Sequence, residues 1–271
     1  MTPNVLILRA PGTNCDLETA YAFEKAGATT ERIHINRLLE NPTLFEPFQI
    51  LCFPGGFSYG DDVASGRILA NQIRFHLAEQ LQAFRDAGKL ILGICNGFQV
   101  LVKTGLLFPV DEPEGPWATL AWNDCGRFQD RWVELTVHPQ SKNVFLRGLE
   151  RMYIPMAHAE GRFVTRDAQT LAQLEANGQI ALQYSPLTMP RWEDASEKYD
   201  ANGILAFPDN PNGAIANIAG VGDETGRVLG LMPHPERHID ATQHPQWTRR
   251  REQPGEGECL QVFRNAVEFF R

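Results

Sequence analysis

The sequence predicts an open three-layer α/β/α sheet, with a mostly parallel core and antiparallel additions. Three observations lead there. Over the first hundred residues, short apolar runs alternate with amphipathic stretches of helical period. Leu90–Ile94 is almost wholly apolar, as expected of a central parallel strand buried on both faces. In the second half, short apolar runs are separated by Gly and Pro clusters such as Asp209-Asn210-Pro211-Asn212-Gly213, the pattern of added antiparallel strands.

Each element follows from its residues. Val5–Leu8 is a short strand that ends in the turn-like Ala10–Asn14. Asp16–Ala26 is a helix with apolar Leu17, Ala20, Tyr21 and Phe23, and Gly27 stands where a C-cap belongs. Glu31–Ile35 and Ile50–Phe53 are the next strands, the latter stopped by Pro54-Gly55-Gly56. One long helix is expected over Ser65–Ala87, with Ile68, Leu69, Ile73, Leu77, Leu81 and Phe84 on a single face and Gly88 at its end. A shorter helix is expected from Gly97 to Thr104. Beyond it the strand candidates are Trp132–Val137, Met152–Ala157, Ile180–Tyr184, Ala214–Ala219 and Val228–Met232. Cys259–Phe270 is a closing helix with Leu260, Phe263, Val267 and Phe270 as its stripe. No linker, repeat or charge block divides the chain, so residues 1–271 are expected to form one domain.

Composition removes several classes of function. Hydrophobic residues at 43% and charged residues at 21% exclude a wholly disordered chain. Acids outnumber bases 33 to 25, which argues against nucleic acid as a partner. The start has no basic n-region, and Leu90–Val102 is interrupted by Asn96 and Gln99, so neither a signal peptide nor a membrane span is expected. Five cysteines without a CxxC pair argue against a disulfide framework or a structural metal, and the expected compartment is the cytoplasm.

Three segments carry chemistry. Gly93-Ile94-Cys95-Asn96-Gly97 has the shape of a nucleophile elbow with Cys in place of Ser. The flanking glycines let a strained strand-to-helix turn form, and the turn lifts the sulfur above the carboxyl edge of the sheet. The helix start that follows favours thiolate, and its first N–H groups, from Asn96 onward, can hold an oxyanion. A buried core cysteine beside a glycine-softened turn is the alternative reading. Cys52 and Cys259 fit core hydrophobes. Cys15 precedes Asp16, which would raise its pKa, and Cys125 lies in Asn123–Arg127; neither is expected to be a nucleophile.

The second segment is Met232-Pro233-His234-Pro235-Glu236-Arg237. The prolines favour extended backbone, in which residues i and i+2 share a side, so the Glu236 carboxylate can orient the His234 imidazole. A proline-rich turn with a solvated pair is the bland alternative. The third is Pro54-Gly55-Gly56-Phe57-Ser58, where two glycines let backbone N–H groups approach a ligand, or simply make a tight turn.

Together, the Pro-Gly-Gly loop, the Gly-x-Cys-x-Gly-x-Gln elbow and the late His-Pro-Glu resemble the class I, triad-type glutamine amidotransferases. The finer resemblance is to the family of glutaminase components of phosphoribosylformylglycinamidine synthase. It is carried by Ala10–Asp16, Pro54–Asp61, Gly93–Gln99, Asn210–Gly213 and Gly230–Arg237, in order along the chain. The resemblance implies a flavodoxin-like fold with Cys95 as nucleophile, His234 as general acid and base, and Glu236 as its orienter. It implies Gly55, Gly56 and Asn96 as oxyanion donors and Gln99 as a contact for the amino-acid end of L-glutamine. It also implies no cofactor on this chain: ATP and Mg²⁺ belong to a large synthetase subunit, joined through a small bridging subunit. The absence of a G-x-x-x-x-G-K-[ST] loop agrees with that division. Two departures are visible, Ala159 where the family usually has Gly and Cys125 where it usually has Ser. A free-standing thiol hydrolase, or a non-catalytic subunit of the same fold, remains the alternative. Thr248-Arg249-Arg250-Arg251 is the densest cationic run in an acidic chain, with Arg237 and His238 just after the His-Pro-Glu motif; a solvated loop is the plain reading of the run, and a loop that steers the synthetase onto the site is the sharper one.

Overall fold

Strand-helix alternation builds the first half of the computed structural model, which describes residues 1–110, 113–187, 199–249 and 255–271. In order these elements are β1 (Asn4–Arg9), α1 (Asp16–Lys25), β2 (Thr29–His34), α2 (Ile35–Glu40), β3 (Ile50–Phe53), α3 (Arg67–His76), α4 (Ala78–Asp86), β4 (Leu90–Ile94) and α5 (Asn96–Leu101). The second half adds β5 (Ala118–Ala121), β6 (Gln129–Val137), β7 (Arg151–His158), β8 (Arg162–Thr165), α6 (Ala168–Ala176), β9 (Ile180–Ser185), β10 (Ile218–Gly222), β11 (Val228–Leu231) and α7 (Leu260–Glu268).

Among the described residues, nine strands form one sheet in the order β2-β1-β3-β4-β11-β10-β9-β6-β7. The β2-β1-β3-β4-β11 half is parallel throughout, and the rest is antiparallel. β5 and β8 make a separate antiparallel pair. All residues of β3, β4 and β11 are buried, which is why these strands are uniformly apolar or glycine. The chain runs from β1 to β2 on one side and then crosses to β3 on the other. Right-handed crossovers therefore put α1 and the α3-α4 pair on opposite faces. α7 packs against α1, with Phe23 and Phe263 edge to face at 4.9 Å.

This strand order fixes where a site can form. The chain reverses direction between β1 and β3, so the loops after them part at the carboxyl edge and leave a crevice. Those loops still meet at the base, through the bridge between Thr13 and Gly56. The turns after β4 and β11 open at the same edge, because both strands run parallel to β3.

Three expectations need correction. The single helix over Ser65–Ala87 is two helices, because Leu77 leaves helical geometry at φ −131° and turns its side chain into the core. The strand placed at Ala214–Ala219 begins only at Ile218. Residues Ile215–Asn217 form a tight turn, with Ala216 and Asn217 at positive φ and the Asn210 amide bonded to Ala214 and Asn217. α6 falls in a half expected to hold no clear helix before the chain end, and it is capped by the Asp167 carboxylate on the Thr170 N–H.

Candidate active site

The elbow between β4 and α5 has the geometry its glycines require. Cys95 sits at φ 51°, left-handed for a residue that carries a side chain. A Cβ on Gly93 would come within 2.5 Å of Leu101 Cδ1, and one on Gly97 would lie 1.8 Å from the Phe53 carbonyl oxygen on β3. The close approach at Gly97 predicts that Gly97→Ala costs about 3 kcal/mol, since backbone must move to admit a methyl group. Thermal unfolding of the purified variant measures that loss. Cys95 is held by its N–H donating to Leu231 O on β11 at 2.8 Å, and its thiol points toward Ala157 O at 3.6 Å.

His234 and Glu236 meet as expected, by a different local route. His234 is extended, but Pro235–Arg237 form one turn of 3-10 helix rather than continuing the strand. Even so, His234 Nδ1 and Glu236 Oε1 lie 2.6 Å apart, both residues almost fully buried. The His234 N–H donates to Pro155 O at 2.8 Å, which ties this turn to β7. Burial alone would push the imidazole pKa down. The Glu236 carboxylate, with Cys95 beside it, more than reverses this and holds it well above the usual histidine range.

Gly55 and Gly56 close the site from the side of β3. A Cβ on Gly55 would lie 2.8 Å from His234 Cε1 and 3.0 Å from Cys15 Sγ. Gly56 sits at φ 143°, pressed against the Gly12–Asn14 backbone, a place open only to glycine. Asn96 and Gln99 brace the elbow helix. Asn96 accepts from the Ser58 N–H and donates to Asp61 Oδ1 and Gln99 Oε1, while Gln99 Nε2 donates to Glu160 O at 2.5 Å.

Segment 157–161 is clamped by a residue without a role in the sequence-based reading. The buried Asn123 side chain donates to His158 O and to Arg127 O, and accepts from the Gly161 N–H. Its Oδ1 is also 3.1 Å from His158 Nδ1, and as an acceptor already it assigns that ring proton to Nδ1. Burial, together with the charge of His234, holds the His158 pKa at about 3, so this imidazole stays neutral. It is a packing group under the site and not a spare base. A group depressed from 6.5 leaves the native state unable to take up the proton that the unfolded chain binds. Stability is therefore expected to fall as pH drops below 6.5 toward the folded value, and His158→Gln to flatten that slope, as chemical denaturation across the range would show.

Not every expected residue is where the sequence put it. Arg237 is half-buried and donates to Glu18 Oε1 at 2.9 Å and to Cys15 Sγ at 3.2 Å, while His238 is buried with Nδ1 on Tyr153 O. Neither is a free surface cation beside the site. Arg249 is exposed, and Arg250 and Arg251 lie outside the described residues. Cys52 and Cys259 are buried in the core and Cys125 is exposed. Cys15, set aside as a nucleophile, is buried against His234, and burial first, with the Glu236 carboxylate rather than Asp16 behind it, raises its pKa to about 11. Asp16 is engaged elsewhere, by Arg9 and Arg32. The ligand atoms of Cys15, Glu18, His234 and Glu236 lie within 4.8 Å of one another, close enough for a metal ion. The cation found among them is the Arg237 guanidinium.

A buried thiol on a strained elbow beside a carboxylate-bound imidazole, at the carboxyl edge of parallel strands, is an arrangement suited to the thiol-dependent acyl-transfer class of protein. Residues 2–270 match the family model described as the CobB/CobQ-like glutamine amidotransferase domain. The PurQ subunit of phosphoribosylformylglycinamidine synthase from Dehalococcoides mccartyi is 45% identical over 98% of this chain and 97% of its own length. That from Methanococcus maripaludis strain S2 is 41% identical over 100% and 98%. The chain belongs to this glutamine amidotransferase family, in its PurQ branch. A chain of the PurLQS structure from Thermotoga maritima superposes with a TM-score of 0.71 at 28% identity, with full coverage of both chains. A second glutamine amidotransferase of that organism, at 15% identity and a TM-score of 0.54, shares the fold.

Proposed function

We propose that residues 1–271 act as one glutamine amidotransferase domain, the glutaminase subunit of phosphoribosylformylglycinamidine synthase. It hydrolyses L-glutamine and passes the ammonia to a PurL-type synthetase. The 2.6 Å contact between His234 and Glu236, beside the Cys95 elbow, is the observation that carries the mechanism. Cys95 Sγ attacks the side-chain amide carbon of glutamine. The N–H groups of Gly55, Gly56 and Asn96 receive the oxyanion, each donor worth about 3 kcal/mol in the transition state. His234 protonates the departing ammonia, and the glutamyl thioester remains on Cys95. His234 then takes a proton from water, which attacks the thioester and releases glutamate. Gln99 holds the amino-acid end of the substrate while it braces the elbow.

In this reading ATP and Mg²⁺ act on the synthetase, where ammonia converts formylglycinamide ribonucleotide to formylglycinamidine ribonucleotide, and a small PurS-type subunit bridges the two. Among the described residues no helix is long and apolar enough to cross a membrane. The cytoplasm is the compartment proposed. Mixing the chain with purified synthetase and bridging subunit, and feeding glutamine, ATP and the ribonucleotide, tests the whole reading. Glutamate and amidine product should appear in equal amounts. Turnover of γ-glutamyl peptides in preference to glutamine, without amidine product, would make the chain a free thiol hydrolase instead.

A further inference from the structure

We propose that Cys15 is a positioning residue for His234, its thiol forming the wall that keeps the imidazole turned between Glu236 and Cys95. The inference rests on the glutaminase reading and adds a second cysteine to that site.

The backbone of Cys15 is fixed on two sides. Its N–H donates to Gly55 O at 3.2 Å, and its carbonyl accepts from both the N–H and the hydroxyl of Thr19, at 3.1 and 2.7 Å. The sulfur is fixed as well. It donates toward Asn14 Oδ1 at 3.2 Å and accepts from Arg237 Nη2 at 3.2 Å, and Arg237 is anchored in turn on Glu18. This locked thiol lies against the ring. The methyl-sized space above Gly55 is shared by His234 Cε1, His234 Nδ1 and Cys15 Sγ, all within 3.4 Å of one point.

The consequence is geometric. Nδ1 is engaged by Glu236, and Nε2 is the nitrogen left for Cys95. The Nδ1–Cε1 edge is one of the two that swing out when the imidazole rotates about its Cβ–Cγ bond. Gly55 and Cys15 occupy the space that edge would sweep. Burial keeps the thiol protonated, so it can sit beside the Glu236–His234 pair without adding a competing anion. Arg237, the residue after Glu236, reaches back to clamp the same sulfur. His234, its carboxylate and the wall are thereby held from one stretch of chain.

The groups that face His234 are Glu236 from its own turn, Cys95 from the elbow, and Cys15 and Glu18 from the start of α1; Arg237 sets its charge against Cys15, Glu18 and Glu236, and the His158 imidazole, from β7, stays neutral. Of these, Cys15 is the one that can be changed without touching either proton path.

The test uses the full chain, as wild type and as Cys15→Ala, Cys15→Ser and Arg237→Gln. Two readouts are taken. The first is the pH profile of Cys95 alkylation by iodoacetamide, followed on the Cys95 peptide by mass spectrometry. The second is kcat and KM for glutamine in the assembled complex. Cys15→Ala is expected to lower kcat about five- to tenfold, the scale of removing one hydrogen bond, with KM unchanged. The basic limb of the alkylation profile should move to lower pH, because a ring free to turn away from Glu236 loses the carboxylate that holds it charged. Cys15→Ser should restore both, and Arg237→Gln, which frees the sulfur, should lower kcat in the same direction as Cys15→Ala.

If Cys15→Ala fails to fold, Arg237→Gln decides, since it frees the sulfur without opening the core. An unmoved alkylation limb with unchanged kcat overturns the proposal. Equal losses in the Ala and Ser variants, accompanied only by a lower Tm, also overturn it, since that is what a purely structural cysteine would give. Failure of the glutaminase reading looks different. The wild-type complex would then release no glutamate, while the alkylation profile, which needs neither glutamine nor partner, would still report on Cys15.

Discussion

Cys95→Ser is expected to abolish glutamine-dependent synthesis and to leave ammonia-dependent synthesis by the assembled complex intact. The sulfur is the atom that would carry the glutamyl thioester, and no neighbour replaces it. Cys15 is locked behind His234 with its pKa raised to about 11, and Cys52 and Cys259 are sealed in the core. Loss of a covalent nucleophile costs about 10⁶-fold when its partners act as a unit. The fold should survive. The serine Cβ fits the φ 51° position that cysteine already tolerates, and the thiol holds Ala157 O only weakly, at 3.6 Å. Stability within about 0.5 kcal/mol of wild type is therefore expected. The measurements are glutamate release, amidine formation with glutamine or ammonium chloride, and thermal unfolding. Normal use of glutamine by Cys95→Ser would move the chemistry away from the elbow. Loss of ammonia-dependent synthesis as well would mean that the substitution disturbs docking.

The elbow was legible in the sequence because its constraint is local. Gly93 and Gly97 flank the nucleophile in the chain, and each stands where a Cβ would strike packed atoms. The His234–Glu236 contact was legible because a two-residue spacing brings the pair together in an extended strand and also in the 3-10 turn that forms. The buried parallel strands were legible because burial on both faces leaves no polar alternation to interpret. What the sequence hid depends on strand order. Cys15 and Gly55 are forty residues apart, and they meet because β1 and β3 are neighbours in the sheet. Arg237 reads as a surface cation until α1 brings Glu18 to it. The break at Leu77 was hidden for another reason. Its apolar side chain keeps the helical stripe intact, while its backbone leaves the helix. Asn123 reads as a loop residue, and the bonds of its side chain and N–H go to backbone and ring atoms that no local pattern announces.

His234→Ala should lower kcat by about 10²–10⁴-fold, the usual worth of a positioned general acid and base. Glu236→Gln should cost less, and the reason lies in how the carboxylate is used. Glu236 accepts from one imidazole nitrogen through Oε1, and among the described residues its buried Oε2 has no hydrogen-bond partner. A glutamine can keep its carbonyl oxygen on Nδ1, so it preserves the tautomer and loses only the charge. Glu236→Ala loses both and should fall between the other two variants. The charge has its own signature. Glu236 holds the His234 pKa above the ordinary value of 6.5, so the stability it contributes is full below that value and is lost as pH rises through the folded one. The stability gap between wild type and Glu236→Gln should therefore narrow as pH is raised above neutral. The basic limb of Cys95 alkylation should move to lower pH in the same variant. Measuring kcat for the three variants together with stability against pH separates orientation from charge. Small and equal effects on kcat would place the proton carrier elsewhere, and His158, neutral and bonded to Asn123 beneath the site, is not available to take its place.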